Sequence, residues 1–287
     1  MADLDWSPPR TRAEATARLD ALVREHRFTI AVVFPLVGAV TLLASAEGLL
    51  PPPLAFNPFF VLFGTLVMRL PLVAGVFPLI TRRGALALAV LTGYAYGIEL
   101  VGVRTGWPYG EFAYGVDLGP MLLGEVPLGL PIFFFPLVLN SYLLVILLLG
   151  RRAASTPIRL LATLSTVLLV DLVLDPGAVG IGFWAYEVQQ YYGVPWSNYR
   201  GWLLSGTVAV VLFDVGFERA GLRRRLDECE FMLDDLVSFV VLWGAINLYY
   251  ANWIPVALAA LLGAGLLVTD RFDFDLSDTR VGRTVLR

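Results

Sequence analysis

Stretches long and apolar enough to cross a bilayer recur along most of this chain, and they constrain its fold more than any other feature. A helix needs about 20 mostly apolar residues to span roughly 30 Å of hydrocarbon. In hydrocarbon, only helices or closed barrels satisfy their own backbone hydrogen bonds. Such stretches fall at 28–48, 56–80, 84–104, 127–149, 158–175, 201–218, 235–251 and 253–270. The sequence therefore predicts an all-α, polytopic membrane bundle of about eight transmembrane helices. The composition agrees: 16% of residues are charged and the mean hydropathy is +0.73, whereas a soluble domain carries about 25% charged residues.

Three regions follow. Residues 1–27 are a polar N-terminal segment in which RAEATARLDALVREH reads as an amphipathic surface helix. A cleavable signal peptide is not expected, because the first apolar stretch has the length of a span and a long polar segment precedes it. Residues 28–270 form the transmembrane domain, and 271–287 form a tail.

Orientation is read from arginine, since the chain contains no lysine. Eighteen arginines fall in the N-terminal segment, the even-numbered loops and the tail, whereas the opposite loops hold only Arg104 and Arg200. The positive-inside rule then places both termini in the cytoplasm, in a multi-pass protein of the cell membrane. A net charge of −3 gives no case for nucleic acid.

This orientation puts the two longest loops, 105–126 and 176–200, on the outer face. The first carries TGWPYGEFAYG (105–115), and the second runs into FWAYEVQQYYGVPWSNYRGW (183–202), which has eight aromatics in twenty residues. Trp and Tyr gather at membrane interfaces, but a belt would spread over both, and these rings collect on one side. The alternative is a pocket for an apolar molecule.

Ionisable residues within spans are costly and usually face a functional interior. Glu99 lies about 7 Å below the outer end of its helix at 1.5 Å per residue. Asp175 sits at the outer end of the fifth span, and Asp171 lies one turn below it on the same face. Arg69, near mid-membrane, reads as a structural ion-pair partner, within reach of one of these acids. Asp175 also admits a bland reading, because Pro176 follows it and the residue before a proline avoids the α region. Gly93 and Gly97 would let the Glu99 helix pack closely, with Tyr94 and Tyr96 supplying hydroxyls.

The DxxxD spacing of Asp171 and Asp175 and the DxxxE spacing of Asp214 and Glu218 admit a metal diphosphate site. The two pairs sit at opposite ends of their spans, about 20 Å apart, so this prenyltransferase reading is minor. One histidine and one cysteine leave no His- or Cys-based metal motif, and no metal or cofactor is expected. Protonation by a carboxylic acid remains. Desolvation disfavours the charged form of a carboxyl, a protonated branched alkene becomes a tertiary cation, and aromatic faces stabilise cations by up to about 2 kcal/mol each. We assign Asp175 or Glu99 as proton donor, with Asp171 tuning it. Glu111, Glu187 and Asn198 would position water. Trp107, Tyr109, Tyr114, Trp184, Tyr186, Trp196 and Trp202 would line the substrate and shield the cation.

The motifs TGWPYGEFAY (105–114), LDP (174–176) and WAYEVQQYYGVPWSNYRGW (184–202), set between apolar spans, resemble those of the CruF-type carotenoid 1,2-hydratases over about residues 28–255. The lysine-free, acidic chain is similar to halophilic archaeal members. The resemblance implies a cofactor-independent hydro-lyase of carotenoid biosynthesis. Its C50 polyene substrate would be bisanhydrobacterioruberin, hydrated at one end and then the other to bacterioruberin. Association with other membrane enzymes of the pathway stays open. The residue roles above rest on the residues and not on the resemblance. Two other classes also stay open: a proton-coupled carrier using Arg69, Glu99 and Asp171, against which the lack of a matching internal repeat counts, and a non-catalytic carotenoid-binding subunit.

Overall fold

The computed structural model describes residues 9–274; most of the predicted tail, with Arg280, Arg283 and Arg287, lies outside them. The helices are α1 (Arg12–Ala46), α2 (Pro58–Leu79), α3 (Arg82–Thr105), α4 (Leu130–Ala154), α5 (Thr156–Gly180), α6 (Trp196–Gly216), α7 (Arg219–Glu228), α8 (Glu230–Tyr249) and α9 (Trp253–Val268). Every predicted span is helical. Six helices are long and apolar enough to cross a membrane unaided. The pair α6 and α7, bent by 84°, adds a seventh, and α9 is a shorter apolar helix.

The helix ends follow local chemistry. The Thr11 hydroxyl accepts from Glu14 N at 3.1 Å, and Asn57 Oδ1 accepts from Phe59 N at 3.0 Å, each satisfying a free first-turn donor. Gly106, at φ +70°, ends α3 in the left-handed conformation that glycine adopts without penalty. The predicted surface helix and first span follow each other without a loop, kinked at His26 (φ −112°, ψ 15°) and wound as a π turn over Thr29–Val33. No glycine or proline interrupts 26–34, and the turn's extra residue precedes Pro35, which has no N–H to give.

Buried ion pairs fasten the inner half and middle of the bundle. Asp234 and Asp235 sit side by side in the first α-helical turn of α8, after a 3-10 turn over Glu230–Leu233, where the helix dipole favours negative charge. Asp234 binds Arg27 of α1 at 2.6 and 3.0 Å. Asp235 binds Arg69 of α2 and accepts from Asn140 of α4 at 2.6 Å. Arg69 therefore faces Asp235 and not the outer acids that the sequence placed within its reach, because α8 brings a fully buried carboxylate to it. Its Nε also donates to the Ile132 carbonyl at 3.3 Å, the acceptor that Pro136 leaves without a helical partner. Asp214 of α6 is taken by Arg159 of α5 and the Tyr142 hydroxyl of α4, each at 2.6 Å.

Close packing of α3 on α6 uses Gly84, Ala87 and Gly216: a Cβ at Gly216 would lie 2.6 Å from that of Ala87. Gly93 and Gly97, the packing sites expected from sequence, meet nothing within 4 Å and face outward.

Removing one partner of a buried pair strands the other charge, at a cost of about 3–5 kcal/mol. Asp235→Ala is expected to lower thermal stability in detergent by that amount, while Asp227→Ala, in an exposed α7 pair with Arg223, stays within about 0.5 kcal/mol.

Candidate active site

Two loop strands close the outer face. Strand β1 (Phe112–Tyr114) pairs antiparallel with β4 (Trp184–Tyr186), matching Phe112 with Tyr186 and Tyr114 with Trp184. Between them β2 (Met121–Leu122) pairs with β3 (Val126–Pro127). Side chains alternate across a strand, so Phe112, Tyr114, Trp184 and Tyr186 point inward while Ala113 and Ala185 point out.

Beneath this lid lies a cavity of about 570 Å³ with mostly apolar walls. Helix α5 brings Asp175 to its wall and holds Asp171 one turn deeper, fully buried. The helix does not stop at Asp175, as the proline suggested, but runs through Pro176 to Gly180. Outside partners make this tolerable. The Leu172 carbonyl, freed by Pro176, accepts from the Tyr191 hydroxyl at 3.4 Å, and the Val173 carbonyl accepts from Asn247 Nδ2 at 2.8 Å.

Asn198, in the first turn of α6, donates its amide to Asp175 and reaches Asp171 Oδ2 at 3.4 Å. Across the cavity, Glu99 of α3 accepts from the Tyr114 hydroxyl. Among the described residues, none of these three acids forms a salt bridge. Their hydrogen-bond partners are a neutral amide and a neutral phenol, and Asp171 Oδ1 has no partner. The arrangement offers an apolar molecule two carboxyl groups free of cations, within aromatic walls.

Comparison with known proteins gives the context. The profile of a family described as "Carotenoid biosynthesis protein" matches residues 56–266. A protein named bisanhydrobacterioruberin hydratase, from Haloarcula japonica, is 78% identical over 282 residues, covering 98% of this chain and 96% of the relative. This chain belongs to the carotenoid biosynthesis protein family. No solved structure matches it.

In this family member the cavity gathers Glu99, Tyr109, Tyr114, Asp175, Trp184, Tyr186, Asn198 and Trp202 from the predicted set. It leaves out four. Trp107 and Trp196 are more than half exposed, at the outer rim where an interfacial aromatic belongs. Glu111 and Glu187 flank the β1–β4 ladder on its outward face, the consequence of strand alternation. Each is near the other, and the hydrogen bond and charge of Glu111 hold Glu187 above the usual carboxylate range. Three of the four rings of 105–115, Tyr109, Phe112 and Tyr114, thus line the cavity with Glu99, while Glu111 stays outside. Sequence reasoning missed Phe134, stacked on Trp202 at 5.5 Å, and Trp243, against Phe183 at 6.4 Å. Both lie in uniformly apolar runs where no local signal separates a cavity wall from core.

Tyr94 and Tyr96 do not serve Glu99: Tyr94 meets Ser205 Oγ at 3.1 Å and Tyr96 donates to the Leu128 carbonyl at 2.7 Å. Ser205 also bonds the Tyr109 hydroxyl at 2.7 Å. The Tyr109 ring lies in a slot between two glycines, Gly102 and Gly201, and a Cβ at Gly201 would stand 2.4 Å from it. Gly201→Ala is expected to displace this ring and cost about 1–3 kcal/mol of stability. Gly93→Ala, in open space on α3, is expected to be neutral or stabilising by up to about 1 kcal/mol, both read by thermal unfolding in detergent.

Proposed function

We propose that this chain is a cofactor-independent hydratase, adding water to the terminal double bonds of bisanhydrobacterioruberin to give bacterioruberin. The observation that carries this reading is the presence of Asp175 and Glu99, without cationic partners, on the wall of an apolar aromatic cavity. The near-full-length similarity to a protein named for that activity supports the substrate. Arginine placement supports a multi-pass cell-membrane protein with cytoplasmic termini.

The carboxyl of Asp175 gives its proton to one carbon of the terminal double bond. The π bond breaks, a C–H bond forms and the positive charge falls on the branched carbon. Trp184, Tyr186 and Trp202 present rings to the cavity and stabilise that charge. Water adds through oxygen to the cation and loses a proton, which restores the acid. One water is consumed and nothing is oxidised. Asn198 fixes the carboxyl of Asp175, and Asp171 beside it tunes its proton affinity. With Glu111 and Glu187 outside, positioning of water falls to Asn198 and to Glu99, held by Tyr114. The alternation of loaded and unloaded acid is general acid–base catalysis, which contributes roughly 10²–10⁴-fold.

The test is expression in cells that accumulate bisanhydrobacterioruberin, with pigments analysed by liquid chromatography and mass spectrometry. Products heavier by one and then two waters are expected. Asp175→Asn and Glu99→Gln are each expected to lower product formation by at least about 10²-fold, with protein levels in the membrane unchanged. Unaltered pigment from the parent chain would refute the substrate. Full activity in both variants would refute the acid roles.

A further inference from the structure

The cavity opens in one direction. Among its lining residues, the exposed ones are Val37 and Thr41 of α1, Leu54 of the α1–α2 connection, and Phe60 and Phe63 of α2. Lining residues from α3, α4, α5, α6 and α8 are buried or half-buried. At 1.5 Å per residue, Val37 and Thr41 lie roughly 8–14 Å below the outer end of α1, and Phe60 and Phe63 about 3–8 Å below that of α2. The surface around them is apolar: Val40 and Phe59 are 66% and 73% exposed. The opening therefore faces the hydrocarbon of the outer leaflet and not the aqueous surface, which the β1–β4 lid covers.

Two glycines stand in this opening. Gly64 of α2 lines the cavity, and a Cβ there would meet nothing within 4 Å. Gly38 of α1 also lines it, where a Cβ would meet only Leu242 at 3.4 Å. Beside them Phe34 and Phe63 bridge the two helices, ring centroids 6.4 Å apart. A cavity of about 570 Å³ is the size that holds a drug-sized ligand. One end of a C50 polyene fills it, and the rest must pass out through the opening.

We propose that the polyene reaches the acids sideways from the outer leaflet, between α1 and α2, and that Gly64 sets the width of this portal and so determines which end groups pass. The inference rests on the hydratase reading. It entails that the two ends are hydrated in separate visits: the product of the first addition withdraws, and the other end inserts later.

The experiment compares first-hydration rates on bisanhydrobacterioruberin in liposomes for the parent chain, Gly64→Phe and Gly97→Phe. Gly97 serves as control because it is an outward-facing glycine of α3, in open space and off the cavity. Gly64→Phe is expected to slow the reaction by roughly tenfold or more with its thermal midpoint preserved, and Gly97→Phe to match the parent. A Gly64→Phe rate matching the parent's would overturn the portal and leave the hydratase intact, whereas a parent chain that hydrates nothing would remove the hydratase reading beneath it. Should Gly64→Phe fail to accumulate, Val37→Trp on the facing lip decides by the same comparison, since that side chain is 56% exposed and has room to grow.

Discussion

An ionised side chain cannot be left alone in hydrocarbon, and the bundle answers that constraint differently in its two halves. From the arginine-rich end to the middle, acids meet arginines: Asp234 with Arg27, Asp235 with Arg69, Asp214 with Arg159. These pairs tie α8 to α1 and α2, and α6 to α5. At the other end, among the described residues, Glu99, Asp171 and Asp175 have only Tyr114 and Asn198. Buried pairs of the first kind fix the packing, since losing either partner strands a charge. Acids of the second kind are available for proton transfer, and it is the first set, by consuming the nearby guanidinium of Arg69, that leaves them so.

The lid completes the division. Residues 112–114 and 184–186 pair across more than 70 residues of sequence, and their pleat sends four aromatic side chains down onto the cavity while two alanines face out. The same pairing carries Tyr114 to Glu99. Above the helix ends, the short ladder thus performs two tasks that a loop of free conformation would not: it covers the cavity and orders the rings on its wall.

Much of this was legible in the chain. Hydropathy located every long apolar helix because a bilayer imposes one length and one polarity on each. Ionisable residues within spans pointed to Glu99 and Asp175, and the aromatic stretch 184–202 to Trp184, Tyr186, Asn198 and Trp202, all of which reach the cavity. What stayed hidden depends on contacts distant in sequence. Glu111 and Glu99 are both carboxylates near aromatics, and only the register of β1 with β4 says which one the rings enclose. Arg69 finds Asp235, 166 residues away. Pro176 reads as a helix end until Tyr191 and Asn247 are seen to cover the carbonyls around it.

The central claim is that the double bond is hydrated, an exchangeable proton passing to carbon while water supplies the hydroxyl. Reaction in D2O with protein first exchanged into it, followed by mass spectrometry after back-exchange of hydroxyl deuterium, tests it directly. The account requires one deuterium retained on carbon for each water added. Product that carries the new hydroxyl but no carbon-bound deuterium would contradict it.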